Sequence, residues 1–228
     1  MQYEEILGRI EALSNPEAAK GMARYGISTQ SVNYGVSIPN LRKIAKEAGR
    51  DHSLAQQLWA MDSRETRILA AMIDDPEVVS EKQVDEWVED LDNWEVCDQC
   101  CMNLFEKTEF AYQKCFQWSF REEEFVKRAG FVLMARLAVS DKKASDEQFE
   151  QFFPTIEREA DDNRNYVKKG INWALRQIGK RNLSLNEKAI KVAGGIQKMD
   201  SKSARWIAAD ALRELTSEAV QERLRRHL

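Results

Sequence analysis

Glycine and proline are scarce in this chain, at 10 and 4 among 228 residues. Sheet proteins of this length use more of both at turns, so the shortage favours helices. No apolar run approaches the ~20 residues that span a bilayer. Strong positive charge is also missing: the formal net charge is −4. Nucleic-acid binders often carry a strongly basic balance, so any basic groove must be argued from individual residues. Cysteine is limited to four residues, three of them bunched as Cys97, Cys100 and Cys101. That is no disulfide framework. The Cys97-x2-Cys100 spacing has no second pair, and His52 and His227 lie away from it, so it reads as small, soft core residues rather than a zinc site. There is no Gly-rich phosphate loop, and His52 has no obvious partner for nucleophilic chemistry. No cofactor or metal is expected.

What is present is 43% hydrophobic and 32% charged residues, a mix suited to a folded protein with long solvated helix faces. The N-terminus, MQYEEILGRI, is acidic and amphipathic with no signal-peptide core, which leads to the expectation of a cytoplasmic protein. Apolar residues recur at helical spacing: Val84, Trp87, Val88 and Leu91; Phe149, Phe152, Phe153 and Ile156; Val167, Ile171, Ala174, Leu175 and Ile178; and Ala204, Ile207, Ala208, Ala211, Leu212 and Leu215. Short breaks separate them at Asn15-Pro16, Ile38-Pro39, Asp75-Pro76, Lys107-Thr108, Asp141 to Ser145, Asp161-Asp162 and Asp200-Ser201. Helices of ~10–18 residues joined by short turns imply antiparallel neighbours.

A weak internal repeat is visible. Lys169, Trp173, Arg176 and Lys180 fall at the same offsets as Lys202, Trp206, Ala209 and Arg213, one set 33 residues after the other. That period is typical of helical hairpins. The expected fold is all-α: one domain over 1–228, built of helical-hairpin repeats stacked into a curved solenoid whose concave face binds a partner. With charged helices at both ends, the solenoid reads as a monomer.

Three constellations depart from simple core patterning. Trp173 lies opposite the apolar stripe of its helix, in company with Lys169, Arg176 and Lys180. Either it packs on a neighbouring repeat with the cations solvated, or the face meets phosphates and offers an aromatic platform. In WEVCDQCCMNLF, Trp94 and Asp98 are one helical turn apart, and Asp98 sits at the margin of an arc holding Cys97, Cys101, Leu104 and Phe105. That carboxylate is either capped or salt-bridged, or held against an aromatic wall for use. FVKRAGFVLMARLA, at 125–138, is apolar nearly all round, which implies packing on both sides; Arg128 and Arg136 interrupt it. Arg128 wants an anionic partner, an aspartate or a phosphate.

These residues coincide with a family pattern. The segments MARYGIS (22–28), NWEVCDQC (93–100), FVKRAGFVL (125–133) and VKKGINWALRQIGKRN (167–182) resemble the AlkD-like DNA alkylation-repair proteins, bacterial glycosylases of HEAT-like repeats. The resemblance runs roughly from Asn15 to Leu215. It implies a site of Trp94 and Asp98, with Trp173 as a second tryptophan, Arg128 as a phosphate contact and Tyr25 as a DNA contact near the N-terminus. GVSIPNLRKIAKEAG is similar to the family's N-terminal part, where Arg42, Lys43 and Lys46 are placed to touch the DNA backbone. The DNA-facing set expected from pattern and resemblance together is Tyr25, Arg42, Lys43, Arg128, Lys169, Arg176 and Lys180.

The implied partner is double-stranded DNA containing alkylated bases, and the implied activity is excision of N3- or N7-alkylated purines. Such a base already carries positive charge and leaves without a general acid, so a lack of catalytic histidine is no obstacle. Asp98 would stabilise the oxocarbenium-like sugar. Trp94 and Trp173 would flank the cationic nucleotide. The base either flips into a pocket or, as the resemblance implies, stays largely stacked. The alternative is a non-catalytic HEAT-like protein that binds damaged or branched DNA.

Overall fold

The computed structural model describes residues 1–226, so His227 lies outside the described residues. Every named element among these residues is helical, and the single β-bridge pairs Val32 with Ser63. No helix among them is long and apolar enough to cross a membrane. The chain packs into two compact units, Met1–Phe110 and Ala111–Leu228.

The first unit contains α1 (Tyr3–Ala12), α2 (Pro16–Ala23), α3 (Ile38–Ala48), α4 (His52–Ala60), α5 (Arg64–Ile73), α6 (Glu81–Glu89) and α7 (Trp94–Asn103), followed by a 3-10 turn at Phe105–Lys107. The helices start where the sequence offers caps. Asn15 accepts from Ala18 N at the head of α2, Asp51 from Leu54 N at α4, Ser80 from Gln83 N at α6, and Ser63 forms a capping box with Thr66 at α5. Gly35 has φ +73°, and a Cβ there would lie 2.1 Å from the Asn15 carbonyl oxygen, so only glycine lets the 29–37 loop return against α2. The apolar stripe of α6 is buried as its spacing requires, and Trp87 stacks on Trp59 of α4 with centroids 4.0 Å apart. Burying each such large side chain stabilises by roughly 1.5–3 kcal/mol. His52 does have a partner: its ring Nδ1 lies 2.7 Å from the buried carboxylate of Asp74, joining the start of α4 to the end of α5.

The polar run RETR at the start of α5 is the least expected part of this core, because Arg64, Glu65 and Thr66 are fully buried. Glu65 accepts from the backbone N–H groups of Tyr34 (3.0 Å) and Val36 (3.1 Å) and from Arg64 Nη1 (2.7 Å). Arg64 also donates to the Val36 carbonyl (2.9 Å) and, through Nε, to Glu95 on α7 (2.6 Å). One buried cation and two carboxylates thus tie α5, α7 and the 29–37 loop together, with hydrogen bonds replacing the lost hydration.

The second unit contains α8 (Ala111–Ser119), α9 (Glu124–Ser140), α10 (Asp146–Glu150), α11 (Phe153–Arg158), a 3-10 turn at Glu159–Asp161, α12 (Asn165–Gly179), α13 (Leu183–Ile196), α14 (Lys202–Leu215) and α15 (Glu218–Arg225). α9 is buried almost throughout, packed between α8 and α12. Gly130 permits this: a Cβ there would lie 2.6 Å from Ser119 N, so α8 and α9 touch backbone to backbone. The Phe149–Ile156 stripe is buried, but two short helices carry it, since Pro154 lies in the first turn of α11 and a break falls at Gln151–Phe152. α12 and α14 are joined through Asn172, whose Nδ2 donates to the Ile207 carbonyl at 3.1 Å.

Candidate nucleic-acid interface

In the first unit the Asn93 side chain caps α7, accepting from Glu95 N (3.1 Å) and Val96 N (3.0 Å). Trp94 is therefore the first helical residue, and its side chain emerges from the rim rather than the core. Its indole Nε1 donates to the main-chain carbonyl of Tyr25 at 3.0 Å. Tyr25 lies in the turn that follows α2, stabilised by bonds from Tyr25 N and Ile27 N to the Met22 carbonyl and by positive φ at Gly26. The indole has its polar edge satisfied, and its aromatic faces are what remain for a ligand. The Tyr25 side chain is 78% exposed beside it. Asp98 stands one turn down α7, half-buried. Burial pushes the Cys101 thiol well above its ordinary range, and contact with Cys97 and the nearby Asp98 carboxylate push the same way. Burial raises the Cys100 thiol in the same way, so Cys100 and Cys101 are neutral packing groups.

The strand of chain bearing Tyr25 is fixed beyond this one bond. Asp92 accepts from Thr29 Oγ1 (2.6 Å) and Gln30 N (2.8 Å), one residue ahead of the α7 cap. Together with the buried Arg64 and Glu65, this holds the 25–36 segment against the start of α7. Sequence pattern missed Asp92, Arg64, Glu65 and Glu95. Their only signal is charge, mixed in RETR and acidic throughout 85–95, which elsewhere would be a solvated face.

On α3, Arg42 and Lys43 are exposed on the side opposite the buried Leu41 and Ile44, and no carboxylate is within ion-pair distance of either among the described residues.

In the second unit, Trp173 is half-buried on α12 with Lys169, Arg176 and Lys180 on the same side, as their spacing requires. The cations differ in what they do. Arg176 is ion-paired with Glu214 of α14, and Lys180 Nζ lies 2.5 Å from the same carboxylate. Burial pushes the Glu214 carboxyl upward, yet the hydrogen bonds from Lys180 and Arg176 outweigh it and hold the group below its ordinary 4.5. Arg176 Nε is also 3.7 Å from Asp210. Two of the three cations beside Trp173 are therefore not simply solvated: they share the Glu214 carboxylate of the next hairpin, which offsets part of their charge. Lys169 is exposed and has no such partner among the described residues.

Arg128 is only 6% exposed, and its Nη1 donates to the Tyr166 carbonyl at 2.7 Å, where α12 begins. Next to it Lys127, also buried, lies 2.8 Å from Glu159 and 3.8 Å from Asp162. Sequence pattern did not single out Lys127, although a lysine inside a helix that is apolar all round is the same signal that drew attention to Arg128.

Chemically, the first unit offers a half-buried carboxylate one turn from a half-buried indole, and an exposed tyrosine. Such a set suits a cation: aromatic faces attract positive charge, and a carboxylate stabilises it. The second unit offers a half-buried tryptophan, a lysine without a carboxylate partner and a buried arginine anchored at the head of α12.

A solved structure described as a new family of proteins related to the HEAT-like repeat DNA glycosylases, with affinity for branched DNA structures, is similar at a TM-score of 0.78 and 21% identity, over 100% of this chain and 95% of that one. A predicted DNA alkylation repair enzyme from Enterococcus faecalis is similar at a TM-score of 0.63 and 17% identity, over 90% of this chain and 97% of that one. The uncharacterized protein Lin0241 of Listeria innocua is 20% identical over 200 residues, which are 86% of this chain and 87% of its own. The helical hairpins described above thus form a HEAT-like repeat fold. The model of the DNA alkylation repair enzyme family matches residues 6–215, and the chain belongs to that family.

Proposed function

We propose that this protein is a monofunctional DNA glycosylase that excises positively charged N3- and N7-alkylated purines from duplex DNA. The observation that carries the reading is the Tyr25–Trp94–Asp98 arrangement. The indole is oriented by a main-chain carbonyl, and a half-buried carboxylate stands one turn away on the same helix. An alkylpurine is a cation before the bond breaks, and the sugar becomes one as it breaks. Trp94 faces the first charge and Asp98 stabilises the second. Within the first unit, Tyr25, Arg42 and Lys43 follow the DNA backbone. Within the second unit, Trp173 offers an aromatic face, and Arg128 and Lys169 meet phosphates. Arg176 and Lys180 contribute less to this surface, because they share the Glu214 carboxylate, which offsets part of their charge. No step requires a metal, a cofactor or a histidine.

A second reading has a specific observation in its favour. With two of the α12 cations engaged internally by one carboxylate and a net charge of −4, the electrostatic attraction for duplex DNA is modest. The protein would then be a non-catalytic HEAT-like binder of damaged or branched DNA; the first solved relative is described as having affinity for branched DNA structures. Incubating purified protein with methylated plasmid separates the two. Abasic sites, read as alkali-labile nicks, establish the glycosylase; a gel shift without abasic sites establishes the binder.

A further inference from the structure

α12 and α14 run parallel. The pairings Lys168–Trp206, Asn172–Ile207, Arg176–Asp210 and Lys180–Glu214 follow one another in the same order along both helices. Their outward faces carry the repeated pattern seen in the sequence, but the charges are sorted by position. Towards the C-terminal ends, Arg176 and Lys180 are paired with Glu214, and Arg213 with Asp210, so every cation of this half is engaged by a carboxylate and most of its charge is offset. Towards the N-terminal ends, Lys168, Lys169 and Lys202 have no carboxylate partner among the described residues, and Arg205 has only the exposed Asp200, at 3.3 Å. The N-terminal half is therefore a field of positive charge on an otherwise acidic protein.

Trp206 sits in that half. Of the six tryptophans it alone is exposed, at 40%. It lies on the side of α14 opposite the buried stripe of Ala204, Ile207, Ala208, Ala211 and Leu215, so core packing does not account for it. Lys168 Nζ is 5.3 Å from its ring centroid, which places a cation over the indole from the neighbouring helix. An exposed aromatic face with amines on both sides is the arrangement that binds single-stranded nucleic acid: bases stack on the ring and phosphates meet the cations. In a duplex the base faces are already covered by neighbouring pairs, so an indole can stack only on an unpaired base.

We infer that the N-terminal half of the α12–α14 face binds an unpaired DNA strand, with Trp206 stacking on a base and Lys168 and Lys202 meeting its phosphates. This rests on the reading that the protein binds DNA, and it adds a preference for duplex carrying a single-stranded branch.

The test is fluorescence anisotropy of the full-length protein with two probes, a blunt duplex and the same duplex bearing a single-stranded flap. Wild type binds the flap probe more tightly. Trp206→Ala weakens flap binding by about 5- to 150-fold, the range expected for loss of one stacked base, and leaves blunt-duplex binding within about twofold. Lys168→Met with Lys202→Met lowers the slope of log K against log salt on the flap probe by about 1.4, two single-strand phosphates' worth. Unchanged thermal denaturation confirms that the variants are folded, as expected for positions outside the buried core. If wild type binds both probes equally, or Trp206→Ala keeps the flap preference, the inference is overturned while the DNA reading stands. If wild type binds neither probe, the DNA reading itself is wrong and this surface has another partner.

Discussion

The indole N–H of Trp94 donates to the main-chain carbonyl of Tyr25 at 3.0 Å, joining positions 69 residues apart. The acceptor is backbone, so the contact does not depend on the tyrosine side chain, and the ring is oriented by the turn after α2. Trp94→Phe keeps an aromatic face but removes the donor. It should lower stability by about 0.5–1.5 kcal/mol, the net worth of one hydrogen bond, and reduce excision less than Trp94→Ala does. Urea denaturation and 7-methylguanine release from methylated DNA measure the two effects. Equal loss of excision in both variants would show that the ring's face is not what matters.

Arg64 connects two carboxylates in the core of the first unit. Arg64→Leu leaves Glu65 buried without its cation, and removing one partner of a buried pair costs about 3–5 kcal/mol. The double variant Arg64→Leu/Glu65→Gln should recover part of that loss, because the stranded charge is gone. Chemical denaturation followed by tryptophan fluorescence reads both, and a single-variant loss under about 1 kcal/mol would contradict the role given to this cluster.

Glu214 holds two cations that would otherwise add to the basic surface. Glu214→Gln should tighten duplex binding and steepen its salt dependence, by up to about 1.8 in slope if both cations reach phosphates. Lys169→Ala should make the slope shallower by about 1. An unaltered slope in both variants would mean that DNA does not cross this face of α12.

The same carboxylate makes a pH prediction. Its folded pKa lies below the ordinary 4.5, so its contribution to stability is present above that value and is lost as pH falls through the folded pKa. Glu159 and Asp162 behave alike: burial raises each, and bonds from Lys127 and Arg158 to Glu159, and from Arg164 to Asp162, more than offset it. Thermal melting should therefore decline with acidification below pH 4.5, and the decline should be shallower in Glu214→Gln. An identical pH profile for variant and wild type would contradict the ion-pair account.

The helices were legible from apolar period because the stripes are one-sided: Val84, Trp87, Val88 and Leu91 are all buried, as are Val167, Ile171, Ala174, Leu175 and Ile178. The Trp94–Asp98 relation was legible for the same reason, since it is local to one helix. What sequence could not reveal is non-local. Arg176 and Lys180 look like free cations until Glu214, more than thirty residues away, is folded beside them. Arg64 and Glu65 look like solvent-facing charges because a polar run has the same pattern whether water or the 29–37 loop covers it. His52 likewise looked isolated, its partner Asp74 being supplied by the next helix. The break inside the Phe149–Ile156 stripe was hidden because two short helices kept the apolar spacing of one.

The most direct test concerns Asp98. Asp98→Asn keeps the shape of the side chain and removes the charge that would stabilise the sugar cation. Release of 7-methylguanine from methylated duplex DNA by the purified variant is the measurement, with duplex binding recorded in parallel. Abolished release with nearly unchanged binding is the predicted result. Release at the wild-type rate would contradict the assignment of Asp98 as the stabilising carboxylate.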